Sequence, residues 1–222
     1  MLRRATLAVL ALSATTALAA PAWAAAGGAS WQMNEASGPI QDSLGSNERG
    51  TLGTGVTHTA LPGGGRGLSF KAQGVVRVAD AESLRPGNRN ITLEARIRPS
   101  QLGDRNIVQK GLFSPSSQQY KMELVGGAFN CVFKGTGGDQ RVGNATGVKN
   151  TAKAGVWQTV QCRKTGTSIS LVVNGVTKAT KRVNAGSIGT YGKPLTIGGK
   201  IDCGDECDYY LGYVDYVKVS IG

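Results

Sequence analysis

The sequence predicts an all-β protein, a two-sheet antiparallel β-sandwich. Three observations carry this reading. Apolar and polar residues alternate with a period of two in one segment after another. Turn residues recur at intervals of about 8 to 12 positions. Helical periodicity is absent beyond one possible turn at "DAESL". Many short strands separated by frequent turns are the pattern of a sandwich or barrel-like double sheet.

Taken in chain order, the first 24 residues stand apart. Arg3 and Arg4 precede an uncharged apolar stretch from Leu7 to Ala20, and Ala22-Trp23-Ala24 fits the small-x-small cleavage rule. This is the pattern of a secretory signal peptide over residues 1–24, with Ala24-Ala25-Ala26 as the alternative cleavage point. The stretch is too short and too rich in small residues for a good membrane anchor. No other segment approaches the roughly 18 apolar residues a spanning helix needs, so no membrane insertion is expected. Export would place the cysteines in an oxidising compartment.

Residues 25–222 read as one domain, large enough for a substantial core and too small for two comfortable ones. "GLSFKAQGVVRVAD" alternates in two short runs separated by Gly74. "NITLEARIRPS" puts Ile91, Leu93, Ala95 and Ile97 on one face and Thr92, Glu94, Arg96 and Arg98 on the other, as a half-buried strand should. "YKMELVGGAFNCVFKG" is strand, Gly-Gly turn, strand. "WQTVQCRKTGTSISLVVNGVTKATKRV" is strand, turn, strand, and then Asn174-Gly175, the strongest short hairpin signal. "KPLTIGG" and "GYVDYVKVSI" supply two more strands. The 33 glycines are scattered and aperiodic, which excludes collagen-like and low-complexity chains. Two of the 25 Lys and Arg and none of the 14 acids fall within residues 1–24, so the domain carries a net charge of +9.

These segments also carry a family resemblance. "SWQMNEASGPIQDSLGSNERGTL" resembles the opening of a laminin-G-like domain: a first strand with Trp and Met, then Asp-Ser-x-Gly and a loop. "GRGLSFKAQGVVRV", "LRPGNRNITLEARIRP", "NIVQKG", "GVWQTVQCRKTGTSISLVVNG" and "YYLGYVDYVKV" follow in that family's usual order. The resemblance covers nearly all of residues 25–222 and implies a concanavalin-A-like jelly roll, which the alternation suggests independently. It leaves function open, because the fold carries lectins, adhesion modules, glycan-binding modules and glycosidases.

In an exported protein, four cysteines most simply make two disulfides, with three connectivities open. The implied sandwich holds Cys131 in "FNCVF" and Cys162 in "TVQCR" within one body, which pairs them and leaves Cys203 and Cys207 to each other across "CGDEC". Zinc at "CGDEC" would need four ligands, and His58 is the sole histidine. The spacing also differs from that of thioredoxin-like redox pairs, so the stretch is expected to be a pinned loop. Its acids Asp205, Glu206 and Asp208 are a solvated loop tip or a calcium- or ligand-contacting rim.

The resemblance also implies a candidate structural calcium site, since jelly rolls of this kind often join an N-terminal loop to a C-terminal carboxylate. Here that would be Asp42 and Asn47 in "DSLGSN" with Asp215 in the last strand. The alternative is an Asx-turn at Asp42 and an outward Asp215 paired to lysine.

Enzyme signatures do not survive inspection. The glucanase-type jelly rolls carry Glu-x-Asp-x-x-Glu, which is absent, and Glu94 and Glu123 each sit alone on a strand. His58, in the loop "GVTHTALPGGG", has no evident triad partner. "GGGRG" precedes a strand, so it is not a phosphate loop. Trp31 and Trp157 begin strands in core-like positions. Tyr191, Tyr209 and Tyr210 lie in or beside turns, where they would either stack on sugar faces or pack into loops. The charge favours an anionic partner, while the spread of Lys and Arg without an aromatic platform argues against nucleic acid. The expected function is a secreted, non-catalytic binding module for a glycan or cell-surface polymer. The alternative is a carbohydrate-active enzyme with an unrecognised carboxylate pair.

Overall fold

The computed structural model describes residues 27–112, 114, 116–203 and 207–222. The expected signal peptide and the acids Asp205 and Glu206 lie outside the described residues. The strands are β1 (Gly27–Trp31), β2 (Gly50–Leu52), β3 (Val56–Ala60), β4 (Arg66–Phe70), β5 (Val76–Val78), β6 (Ile91–Pro99), β7 (Arg105–Gly111) and β8 (Gln119–Val125). They continue as β9 (Ala128–Gly135), β10 (Gly138–Gly143), β11 (Gln158–Thr165), β12 (Ser168–Val173), β13 (Val176–Arg182), β14 (Leu195–Ile197) and β15 (Gly212–Ile221). Single 3-10 turns occur at Glu82–Leu84, inside "DAESL", and at Asn144–Thr146.

Two antiparallel sheets result. The eight-stranded sheet runs β13-β12-β11-β6-β15-β4-β3, with β1 also on β15. The seven-stranded sheet runs β10-β9-β8-β7-β14-β5-β2. Their inner faces share one core. Ile91, Leu93, Ala95 and Ile97 of β6 meet Tyr120, Met122 and Leu124 of β8 and Phe129 and Phe133 of β9 in that cluster. Burying each large apolar side chain contributes about 1.5–3 kcal/mol. A slip of β6 by one residue would turn its four core residues to solvent, so the register is strongly specified. Trp31 is fully buried, as expected, and its indole N–H donates to the Glu48 carbonyl at 2.6 Å.

The hairpins follow their turn residues. Gly126 and Gly127 between β8 and β9 have φ of 52° and 79°, and Asn174 and Gly175 between β12 and β13 have 50° and 77°. Two successive positive φ values are what a twist-matched two-residue turn requires. Both expected disulfides are present, Cys131–Cys162 and Cys203–Cys207. The first ties β9 to β11 and so links one sheet to the other.

Three local expectations are corrected. His58 lies in strand β3, paired opposite Leu68, and not in a loop. Trp157 is half-buried, not core: Arg96 lies over its ring at 4.6 Å, and its N–H donates to the Pro62 carbonyl at 2.8 Å. Asp215 occupies an irregularity where the β15–β6 register shifts between Val214 and Tyr216. Its partner is the Arg96 guanidinium, at 2.5 Å, where the outward alternative foresaw lysine.

Candidate functional site

Strict alternation gives each sheet an outer face. On β8, Gln119, Lys121 and Glu123 point away from the core that Tyr120, Met122 and Leu124 fill. Their register partners on β7 and β9 continue that face, with Gln109 opposite Lys121 and Asn130 opposite Glu123. These outward polar side chains are nonetheless buried, Lys121 to 7% and Glu123 to 6% exposure. Glu123 accepts from the Asn130 amide at 2.8 Å and pairs with Lys121.

Beside this network, after β14, lie the described flanks of the pinned loop, up to Cys203 and from Cys207. The Lys200 N–H donates to the Cys207 carbonyl at 3.0 Å, and Lys200 pairs with Asp208. Asn106 of β7 holds the loop from below. Its side-chain amide donates to the Gly199 carbonyl at 2.8 Å, and its backbone N–H to the Asp208 carbonyl at 2.7 Å. Asp202 and Asp208, on either side of the disulfide, have φ of 53° and 46°. Left-handed non-glycine residues are costly and persist only where their surroundings over-determine them, which is why they concentrate at functional sites.

A groove follows the loop on both sides. One cleft of ≈ 510 Å³ is lined by Gln73, Arg77, Lys200, Asp202 and Tyr209. A second, of ≈ 550 Å³, takes Asp104, Arg105, Asp208 and the other side of Tyr209. A third, of ≈ 240 Å³, is lined by Gln109, Leu112, Ser114, Lys200 and Cys203. The first cleft shares Cys207 and Tyr209 with the second, and Lys200, Asp202 and Cys203 with the third.

The chemistry of the groove lies in what β7 leaves unpaired. Arg105 Nε, Asn106 Oδ1 and Gln109 Oε1 are buried without a hydrogen-bond partner, as is Gln119 Oε1 on β8. These are four of the seven such atoms among the described residues. Leaving a buried polar group unpaired costs about 1–3 kcal/mol, and the two on cleft-lining residues, Arg105 and Gln109, are positions where a ligand's complementary group would regain stability. Arg105 offers a donor and Gln109 an acceptor, a set that suits hydroxyl groups, which do both.

The expected site residues separate. Tyr209 is half-buried and lines two clefts of the groove. Tyr210 is a correction: it is fully buried, its ring meets Phe70 edge-on at 5.9 Å, and its hydroxyl donates to the Tyr213 carbonyl at 3.1 Å. The alternation that turns Tyr209 outward turns its neighbour inward, so Tyr210 cannot stack on a ligand. Tyr191, 73% exposed, lies elsewhere, lining a separate cleft with Lys193 and covered by Arg85 at 4.8 Å. Sequence reasoning missed Arg77, Arg105, Asn106, Gln109 and Gln119. The available signal was in "QYKMEL", where Gln119, Lys121 and Glu123 alternate with apolar Tyr120, Met122 and Leu124; "RNIVQKG" carries none so clear, because Lys110 is buried and the β7–β8 register shifts between Asn106 and Val108.

At the expected calcium position, Asp42 closes a turn. One carboxylate oxygen accepts from the Ser30 and Leu44 N–H groups at 2.8 and 3.0 Å, and the other from the Ser46 hydroxyl at 2.7 Å. Burial pushes its pKa up, but these hydrogen bonds win and hold it below the usual carboxylate value. Asn47 is exposed at φ 63°. Calcium takes about six to eight oxygen ligands. Among the described residues no group of three or more His, Cys, Asp or Glu is placed to hold a metal. Asp42 accepts three hydrogen bonds at this position, and Asp215 pairs with Arg96.

The outer face of the eight-stranded sheet is occupied by its own pairs. Arg98 lies over Tyr213 at 5.8 Å, and Glu94 accepts from the Tyr216 hydroxyl at 2.7 Å. Burial, then that bond to Glu94, pushes the Tyr216 hydroxyl up to about 12. Glu94 and Glu123 therefore face outward from opposite sheets and form no carboxylate pair.

Comparison with known proteins agrees with this architecture. The profile of a family described as the concanavalin A-like lectin/glucanases superfamily, Laminin_G_3, matches residues 70–220. No curated protein sequence matches the chain. Among solved structures, domain 4 of AbnA, an extracellular arabinanase from Geobacillus stearothermophilus in complex with arabinotriose, superposes with a TM-score of 0.63 at 17% identity, covering 89% of this chain and 93% of that one. The binding domain of Paraclostridial Mosquitocidal Protein 1 gives 0.61 at 14%, and the receptor binding domain of botulinum neurotoxin D gives 0.62 at 11%. The chain covers 87% of itself in both matches and about half of those toxin domains, 47% and 48%. At such identities the likeness establishes the fold. No helix among the described residues is long and apolar enough to cross a membrane.

Proposed function

The chain belongs to the concanavalin A-like lectin/glucanase superfamily, and from that premise we propose that it is a secreted, non-catalytic module binding a glycan of an extracellular or cell-surface polymer in the groove around the pinned loop. The observation that carries the proposal is Gln109 Oε1, a buried acceptor without a partner on a residue lining that groove, with Arg105 Nε in the same condition across the loop. Sugar hydroxyls satisfy both kinds of group at once. Tyr209 adds an aromatic surface whose two torsions lose little entropy on binding. The covalent pin and the Asn106 bonds fix the groove beforehand, which further lowers that cost. Secretion is supported by the N-terminal pattern and by two disulfides. That AbnA domain 4 was solved with arabinotriose, and that the toxin fragments are binding domains, favours binding over catalysis.

A glycan array followed by a reducing-sugar release assay on each hit tests this reading. Retention without release is expected, with Gln109→Ala and Tyr209→Ala each weakening retention. The enzyme alternative would rest on Asp104 and Asp208, which line one cleft together, although Asp104 accepts from the Gly126 N–H at 3.0 Å and Asp208 pairs with Lys200. Sugar release that disappears in Asp104→Asn or Asp208→Asn would replace the binding module with a glycosidase.

A further inference from the structure

We propose that the cavity between the 148–153 segment and the β12–β13 hairpin is a second, separate site that binds the carboxylate or sulfate groups of an acidic polysaccharide. The cavity measures ≈ 350 Å³ and shares no lining residue with the groove. Lys149, Lys153 and Lys178 line it, and no Asp or Glu does. None of the three forms an ion pair among the described residues, and the Lys149 ammonium donates to the Asn144 side-chain carbonyl instead. Three lysines and no acid around one cavity create a local positive potential, which an oxyanion relieves.

The walls of the cavity are fixed before any ligand arrives. The buried Gln158 donates to the Thr151 carbonyl at 2.9 Å and accepts from the Lys153 N–H at 2.7 Å, clamping the 151–153 strip. Thr151 Oγ1 in turn accepts from the Phe129 N–H at 2.8 Å. Across the cavity, Asn174 Oδ1 accepts from the Thr159 N–H at 2.9 Å and sets the hairpin turn. Preorganised walls reduce the ordering cost of binding.

Apolar surface identifies the ligand further. Val148, Val173 and Val176 also line the cavity, and Val176 is 56% exposed. A free inorganic anion makes no use of that surface, whereas the C–H face of an acidic sugar does. Nucleic acid fits less well, because no aromatic side chain lines the cavity to receive a base.

The test is affinity electrophoresis of the full domain against polygalacturonate and dextran sulfate, with dextran as the uncharged arm and inorganic sulfate as a competitor. At about 50 mM salt the wild type should be retarded by both acidic polymers, and at about 1 M, where the Debye length falls to about 3 Å, the retardation should vanish. Lys149→Ala/Lys153→Ala/Lys178→Ala should weaken the interaction about tenfold or more. Triple replacement by arginine should retain it. One variant should stay within about twofold of wild type: Arg49→Ala/Arg66→Ala/Lys218→Ala, which loses the same charge elsewhere. Equal losses in the two charge-removing triples would reduce the effect to net charge and overturn the site. Polyanion binding unchanged in the lysine triple would overturn it as well, as would preferential binding of duplex DNA. Neither result would touch glycan binding in the groove, which Tyr209→Ala and Gln109→Ala report separately.

Discussion

Substituting Asp80 by Asn should destabilise the fold by about 3 kcal/mol at neutral pH, and the reason lies with its partner. Lys110 sits on β7, the strand that supplies the groove, yet its side chain is fully buried. Its ammonium donates to Asp80 at 2.5 Å, to the Lys193 carbonyl at 2.6 Å and to the Thr190 carbonyl at 3.4 Å. Asp80→Asn keeps the shape but leaves that ammonium with neutral acceptors alone. Two unit charges about 4 Å apart attract by about 4 kcal/mol at an effective dielectric constant of about 20, and breaking a buried pair costs about 3–5 kcal/mol. The Asp80 side chain is 15% exposed, which places the expected cost at the lower end. For a domain of this size that is a fall in melting temperature of about 6–12 °C.

The pH dependence gives this prediction a signature. Burial raises the Asp80 pKa, but hydrogen bonds from Arg85, Lys110 and the Gly192 N–H overcome it and hold the carboxyl well below its usual value. A depressed carboxyl contributes its stability fully above its unfolded pKa of about 3.9 and loses it as pH falls toward the folded value, so the gap between wild type and variant closes in acid. Lys110 behaves in the opposite sense. Burial lowers its pKa and Asp80 only partly restores it, so in the variant it falls further. Between that folded pKa and the unfolded value of about 10.4 the unfolded state binds more protons, and the stability of the variant rises with pH. The deficit should therefore be largest near neutrality and shrink on both sides. Urea melts from about pH 3 to about pH 10 would show it. A deficit under about 1 kcal/mol at pH 7, or one that does not change with pH, would refute the reasoning.

Removing the inter-sheet bridge with Cys131→Ala/Cys162→Ala should cost about 4 kcal/mol by the chain-entropy account, because it closes a loop of sequence separation 31. Removing Cys203–Cys207, with separation 4, should cost about 2 kcal/mol and should also weaken glycan retention, since it frees the loop that shapes the groove; equal losses in denaturant melts would contradict the loop-length argument. Asp42→Ala should cost about 2 kcal/mol whether calcium or a chelator is present, because the loss is of hydrogen bonds to a charged acceptor. A melting temperature that rises with calcium in wild type and no longer does so in Asp215→Ala would instead establish the calcium site.

Much of the fold is legible in the sequence because strand alternation and turn chemistry are local. β6 announces its buried face residue by residue, and Asn174-Gly175 and Gly126-Gly127 specify hairpins through the φ values only such residues adopt readily. Both cysteine pairs were likewise expected. What escaped notice is set by register and irregularity. The phase that separates half-buried Tyr209 from fully buried Tyr210 depends on which strand each faces, and the β15 irregularity at Asp215 has no marker in "GYVDYVKV". Trp157 reads as core because Arg96, which covers it, lies 61 positions away in the chain. Lys110 reads as a surface lysine until Asp80 and two carbonyls are brought around it. The groove itself depends on packing: Gln109 is an ordinary outward amide in the strand pattern, and that its oxygen is buried and unpaired emerges only in the folded chain.

The central claim is that a glycan binds around the pinned loop, and NMR chemical-shift mapping tests it most directly, using the best oligosaccharide from the array titrated into the labelled domain. The account predicts that the largest shifts fall on Arg105, Gln109, Lys200 and Tyr209, that the side-chain amide of Gln109 moves with saturable behaviour, and that Tyr209→Ala abolishes the response. Shifts confined instead to the outer face of the eight-stranded sheet, around Arg98, Trp157 and Tyr213, would contradict it.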